Sequence, residues 1–494
     1  MAEENILVDQ RDLVSKLTAD EKAVEEFRLQ CICPDDGKYG KSADSLRPYL
    51  SSEAEWRACA LIQRTLLQIR VDIGQVDQKH LNEVDAALEK ISPLNMKLLE
   101  EKVTKHDQLA VLEEIGRFVS PETKALLHPG TTSYDILDTA RSYLFKKAWG
   151  EVIRPAVAKS IEKLCELSEQ SINVLQVGRT HLQNTSPVLF GGVLAGYAAR
   201  LADRVERCDL YFDDLRGKIS GIVGTGASIE MVIGEGKAMT FEREALEKLG
   251  LKPDYTATQI VQKERLADVG HGLVTLMNVL GDFANDMRLL YSSAIGEVSD
   301  RESAERLGGS SADAGKNNPI NWENICGKVA VVESGMRVLY AMIQSDLQRD
   351  LRNSVQGRYQ PGMMMTEIYE SFCRTNKALK TLSINEDRMA ANLEPVRNNP
   401  SEAMVAILRG QGWVHSKYGV GHDFVKEMGK KAKKEGRGLL GVCFTDSEFT
   451  DLYDNLPEVQ RQILDGKIEN YVGPAATKAL DNIKYARRVV ADKK

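Results

Sequence analysis

The densest collection of reactive side chains in the sequence is Gly308-Gly-Ser310-Ser311-Ala-Asp313-Ala314-Gly315-Lys316-Asn-Asn318-Pro319. A loop rich in glycine and serine with one lysine offers hydroxyls, freely oriented backbone N–H groups and a cation together. Those are the parts needed to stabilise a carboxylate that gains charge during a reaction, although a flexible surface loop has the same composition. A second segment, Gln176-Val-Gly178-Arg179-Thr180-His181-Leu-Gln183, carries a histidine between two helix-length runs. Histidine is the side chain best suited to pass protons near neutral pH, and a structural histidine is the plainer alternative. His128-Pro-Gly-Thr131-Thr132-Ser133-Tyr-Asp135 puts hydroxyls and N–H groups at the expected start of a helix. That is a seat for a substrate carboxylate, or a plain helix cap. Lys105-His106-Asp107 precedes another helical run, where His106 faces either solvent or a site. Finally, Arg349-Asp-Leu-Arg352-Asn-Ser354-Val-Gln-Gly-Arg358 concentrates arginines and a serine as bidentate phosphate binding requires, surface charge being the alternative.

The elements that must position these residues read as helices. Apolar residues recur at helical spacing from Glu53 to about Gly74 and again through Val84, Ala87, Leu88 and Ile91. Thr132 and Asp135 form a capping-box-like start to a long helix through Gln170, bent near Pro155, with Ile136, Ala140, Leu144, Ala148, Ile153, Val157, Ile161 and Leu164 on one side. Residues 263–295 carry a second long stripe, yet Val274, Met277, Val279 and Leu289 fall off it, so this helix must bury more than one face, in a bundle or against another subunit. Pro361–Met365 reads as an interruption before a further helix, and the polar stretch Asn385–Asn392 as a boundary. CPDDGKYG (33–40) reads as turns, and Lys426–Lys434 as a solvated face. The expected fold class is all-α, in three helical domains: 1–131, a central long-helix bundle 132–392, and 393–494.

Composition narrows the function. With 494 residues, a net charge of −7 and 43% hydrophobic residues, the chain is globular and carries no general attraction for nucleic acid or anionic membrane. The N-terminus MAEENILVDQ lacks signal-peptide regions, and the expectation is a cytoplasmic protein. The 8 cysteines are scattered as free thiols would be, without paired zinc spacing. Dinucleotide and P-loop glycine patterns, H-E-x-x-H and G-x-S-x-G are missing, so acid/base chemistry with no metal and no cofactor is expected.

Taken together and in this order, the segments resemble the superfamily of fumarase, aspartase, argininosuccinate lyase and adenylosuccinate lyase. Gly309–Pro319 is similar to its loop G-S-S-x-M-P-x-K-x-N-P, except that Asp313 and Ala314 replace Met-Pro. GRTHLQ (178–183), TSYDILDTA (132–140) and KHD (105–107) look like three further blocks. Within the superfamily, DGKYGKSADSLRPYLSSE (36–53), ATQIVQKE around Gln259, the spacing of Arg349, Ser354 and Arg358, and YVGPAA (471–476) are similar to the adenylosuccinate lyases.

The resemblance implies an anti β-elimination that releases fumarate. Ser310 would be the general base and His181 the general acid. Lys316 and Asn318 would stabilise the dianion, and Glu323 would hold the histidine. Thr132, Ser133 and Gln259 would bind the fumaryl carboxylates. His106 would lie near the phosphate, and Lys38, Tyr39, Arg349, Ser354 and Arg358 would complete the nucleotide site. Members are homotetramers with sites shared between subunits, which implies a small succinylated nucleotide as substrate and copies of the chain as partners. A sister lyase acting on argininosuccinate or another fumaryl adduct, and an inactive superfamily member kept as a binding or structural protein, are the alternatives.

Overall fold

The computed structural model describes residue 14, residues 17–300, residue 313 and residues 316–491. Ser310, Ser311, Ala314 and Gly315 of the glycine-rich loop lie outside these. Within the described residues the chain is all-α, with four short two-stranded pairs. The helices used below are α1 (Ala19–Gln30), α2 (Ser52–Asp72), α3 (Asp107–Gly116), α4 (Ser133–Ala148), α5 (Arg154–Gln170), α6 (Phe190–Asp213), α7 (Glu264–Leu290), α8 (Ile320–Met342), α9 (Arg352–Tyr359), α10 (Gly362–Thr381), α11 (Glu386–Arg397) and α12 (Gly421–Glu435). The strands of the two longer pairs are β1 (Leu175–Thr180), β2 (Gln183–Leu189), β3 (Val298–Asp300) and β4 (Leu382–Ile384). β1 pairs antiparallel with β2, and β3 with β4. None of the described helices is long and apolar enough to cross a membrane.

The contacts divide the chain into two compact units, one made of residues 1–157, 205–278 and 327–374, the other of residues 158–204, 279–326 and 375–494. In the first, a continuous apolar cluster joins α2, α4 and the segment 219–260 through Ile62, Leu66, Ile69, Ile136, Ala140, Ile219, Phe241 and Leu246, among others. Here α7 lies against α6 and α8 at two glycines: a Cβ on Gly270 would fall 2.2 Å from Leu339, and one on Gly272 would fall 2.9 Å from the Tyr211 ring. A side chain at either position would have to displace these neighbours from their packed places. In the second unit the same three helices meet through Tyr197, Phe283 and Trp322, with ring centroids 5.2 and 5.4 Å apart. A separate cluster in that unit, from Met404 to Leu464, packs around Phe424 and Phe449.

The predicted helix from Thr132 runs to Gln170, but as α4, a π-helical turn at Trp149–Ile153, and α5. The wide turn falls just before Pro155, which lacks an N–H and whose ring crowds the carbonyl one turn back. Thr132 and Asp135 form the expected capping box. In α7, Met277 is fully buried and Val274, Val279 and Leu289 half-buried within this one chain, so intrachain packing covers part of the second apolar face. Residues 34–39 form successive turns, and the lysines of Lys426–Lys434 line the exposed side of α12, opposite Phe424, Val425 and Met428. The eight cysteines are free thiols. One expectation needs correction: the interruption at Pro361–Met365 is confined to Gln360 and Pro361, because α9 ends at Tyr359 and α10 begins at Gly362. In the polar stretch Asn385–Asn392, Asn385 is the N-cap of α11 and accepts the backbone N–H of Arg388, and the polarity of the residues that follow belongs to the solvent side of the helix.

Candidate active site

In the second unit His181 sits at the tip of the β1–β2 hairpin, exposed, in a two-residue turn with Leu182. Both residues have positive φ, 55° and 60°. The twist of paired strands favours that handedness in a two-residue turn, but Asn or Gly normally supplies it, and a side chain there costs about 1–2 kcal/mol. Strain of this kind clusters at functional sites. The base of the hairpin is anchored by Val177, packed with Leu393 and Ile468. Arg179 donates twice to Glu297, at 2.6 and 3.1 Å.

Lys316 and Asn318 lie in the irregular segment that leads into α8, Lys316 exposed and Asn318 half-buried, and Glu323 is exposed in the first turn of that helix. Among the described residues no hydrogen bond or ion pair joins His181 to Glu323 or to Lys316. Ser310 lies outside the described residues.

The first unit holds the other predicted residues. Thr132 caps α4 and Ser133 opens it, both half-buried. Behind them the fully buried Asp135 accepts from the backbone N–H of Thr132 (2.6 Å), Ser220 (2.9 Å) and Gly221 (3.2 Å) and from the ammonium of the fully buried Lys218. One carboxylate thus ties the cap of α4 to the turn at 220–226, where Gly221, Gly224 and Gly226 all have positive φ. Arg349 donates from Nη1 to Gln259 Oε1 at 3.0 Å, and its guanidinium lies 3.8 Å from the Tyr134 ring centroid, a cation–π contact. The Gln259 backbone is held as well, its N–H donating to the carbonyl of Gln348 at 3.2 Å. Two predicted ligands, far apart in sequence, are thus brought into direct contact.

Ser354 and Arg358 are one helical turn apart on α9. Arg358 borders an open cleft, shared with Tyr49, Glu55, Glu100, Asp107 and Arg141. Burial, then the charge of Asp107, pushes the Glu100 carboxyl up, and Arg358 opposes this. His106 is the N-cap of α3, with its Nδ1 3.3 Å from Asp107. Lys38 is exposed, while Tyr39 lies under the Lys328 ammonium, 4.5 Å from ring centroid to nitrogen. Lys328 bridges Glu367 and Glu370 at 2.5 Å each, and Asp35 completes this group. The ammonium already answers the carboxylates that a cation would need.

Among the described residues, several of the buried polar atoms without a hydrogen-bond partner belong to Arg349, its neighbours and the α4 cap: Thr131 Oγ1, Tyr134 OH, Ser220 Oγ, Arg349 Nε and both polar atoms of Asn353. Such atoms are costly unless something polar meets them. Sequence reasoning did not single out Tyr134, Asn353, Lys218 or Glu297. The one available signal was positional, since Tyr134 and Asn353 fall inside segments already chosen for other residues.

Comparison with known proteins accords with this geometry. A family profile described as Lyase matches residues 44–333. An adenylosuccinate lyase from Pyrococcus abyssi is 28% identical over 90% of this chain and 95% of its own. One from Bacillus subtilis is 30% identical over 60% of this chain and 66% of its own. A fumarate lyase from Mesorhizobium sp. BNC1 superposes with a TM-score of 0.75, covering 89% of this chain and 97% of that one, at 21% identity, which speaks for the fold. An all-α fold, a family match spanning more than half the sequence and the loop, hairpin and cap segments in the family's order lead to one conclusion: the chain belongs to the lyase family.

Proposed function

We propose that this lyase is an adenylosuccinate lyase, cleaving adenylosuccinate to AMP and fumarate and acting also on the succinyl-carboxamide ribotide of purine synthesis. The observation that carries the reading is the Arg349–Gln259 hydrogen bond beside Tyr134, which joins a residue assigned to the nucleotide to one assigned to the succinyl carboxylates. Arginine at that point suits a phosphate, which argininosuccinate lacks.

In the proposed reaction Ser310 takes the proton from the succinyl Cβ, the C–N bond breaks, and His181 protonates N6 as it leaves. The extra charge resides on a substrate carboxylate, where Lys316 and Asn318 stabilise it, as a serine of ordinary acidity needs. Thr132, Ser133 and Gln259 hold the carboxylates. His106, Lys38, Tyr39, Arg349, Ser354 and Arg358 hold the nucleotide. Among the described residues His181 makes no hydrogen bond or ion pair with Glu323 or Lys316, and the reading includes a homotetramer whose sites combine residues of several copies. Chemistry on a soluble metabolite fits a cytoplasmic location.

The test is spectrophotometric. Purified protein is incubated with adenylosuccinate and, separately, with argininosuccinate, while fumarate and AMP are followed. Turnover of the first supports the reading. Turnover of argininosuccinate alone, or of neither, would defeat it.

A further inference from the structure

Glu297 is fully buried, lies outside every segment that the sequence marks for chemistry, and accepts four side-chain hydrogen bonds. Two come from Arg179, at 2.6 and 3.1 Å. One comes from Gln176 at 2.7 Å and one from Asn392 of α11 at 2.8 Å. Its backbone carbonyl accepts from Asn385 at the start of α11. Every lone pair of the carboxylate is thus engaged, and its charge is balanced by a single guanidinium held bidentately, the condition under which a buried ion pair is tolerated.

Two of these donors are on β1, three positions apart. In a flat strand residues an odd number of positions apart point to opposite faces. This hairpin is not flat. Its ladder shifts between the pairs Val177–Pro187 and Arg179–Asn184, so β2 carries one residue more than β1 over that stretch. Such a bulge coils the strands and re-aims side chains. Gly178, on β1 opposite the bulge, has no room for a side chain, because a Cβ would lie 2.7 Å from the Ser186 carbonyl oxygen. The coil, with the reach of arginine, lets Gln176 and Arg179 land on one carboxylate. The ladder resumes at Thr180–Gln183, and His181 follows in its left-handed turn. The direction of the imidazole therefore depends on the pitch of the coil, and its tip has few contacts of its own.

We propose that Glu297 is the positioning residue for His181: by clamping Gln176 and Arg179 to α11 it fixes the coiled register of the hairpin and aims the imidazole. This rests on the assignment of His181 as the acid, so the test has one arm that does not involve activity. In Glu297→Gln, which keeps the shape and removes the charge, backbone amides of residues 179–184 should exchange with solvent at least ~10-fold faster, while those of α12 are unchanged. In steady state kcat should fall by about 10²-fold, the scale of a small misplacement of a reacting group, with KM nearly constant. Asn392→Ala, which removes one neutral donor, should show a smaller loss of the same kind and guards against failure of the first variant to fold. The decisive comparison is the double variant with His181→Ala. If Glu297 acts through His181, adding Glu297→Gln to His181→Ala costs nothing further. Unchanged hairpin exchange, or costs that multiply in the double variant, would overturn the proposal. Full turnover by His181→Ala alone would instead remove the acid assignment, and the exchange arm would still pass or fail the clamp.

Discussion

His181 is exposed at the tip of its hairpin, so replacing it tests chemistry with little disturbance of the fold. His181→Ala and Ser310→Ala should each lower turnover of adenylosuccinate by at least ~10²-fold, with unchanged circular dichroism. Near-native rates in either would refute the role assigned. Arg349→Lys keeps the charge but loses the planar fork that meets Gln259 and Tyr134. KM should rise by at least ~10-fold, more than kcat falls, measured in initial-rate assays. The Lys218–Asp135 pair can be tested through stability. Both groups are fully buried, and Lys218→Met would leave a carboxylate with no counter-charge. A loss of about 3–5 kcal/mol in denaturant unfolding is expected, partly recovered by adding Asp135→Asn. These residues also mark how far a sequence can be read. Asp135 was legible because capping is local, three positions from Thr132. Lys218 and Glu297 were not, because their partners lie 83 and 95–121 residues away and a lone charged residue has no pattern.

At the scale of elements, long amphipathic helices announced themselves by periodicity and the β1–β2 hairpin did not. Its strands are short, and its turn is His-Leu where a two-residue hairpin signal would be Asn-Gly or Asp-Gly. The site histidine was found and its platform missed for those two reasons. The N-terminal element that carries Lys38 and Tyr39 has a chemical device of its own. Burial, and after it the charges of Glu367 and Glu370, pushes the Asp35 carboxyl up to about 7, against the pull of Lys328. An acid raised in the folded state holds its proton more tightly folded than unfolded. The stability it contributes is complete below the ordinary Asp range and is lost as pH rises from there to about 7. Asp35→Asn should remove that dependence: between pH 5 and 8 the melting temperature of the wild type should fall relative to the variant. Parallel curves would show that Asp35 carries no such load.

For the molecule as a whole, the family assignment and the all-α class were within reach of the sequence because four motifs in fixed order and helical periodicity each survive without coordinates. How the motifs meet was not. Gln259 with Arg349 is one meeting the chain makes by itself. His181 with Glu323 is one that it does not make, and the proposed tetramer supplies a reason. If sites combine residues of several copies, then mixing inactive His181→Ala with inactive Ser310→Ala and allowing subunits to exchange should restore part of the activity. A mixture that stays inactive after exchange, verified by mass measurement of hybrid assemblies, would mean that each site is built from one copy.

The π-helical turn at Trp149–Ile153 sets the phase of everything after it. The buried series Ile136, Ala140, Leu144, Ala148 advances by fours, steps by five to Ile153, and resumes with Val157 and Ile161. An α-helix turns about 100° per residue, so the extra residue is what keeps the later members facing inward. Deleting one residue there would mend the hydrogen-bond ladder yet swing Val157, Ile161 and Leu164 out of the interior. Length at this point is therefore under tighter constraint than identity: a frame-preserving codon loss would do more harm than most substitutions in the same five positions.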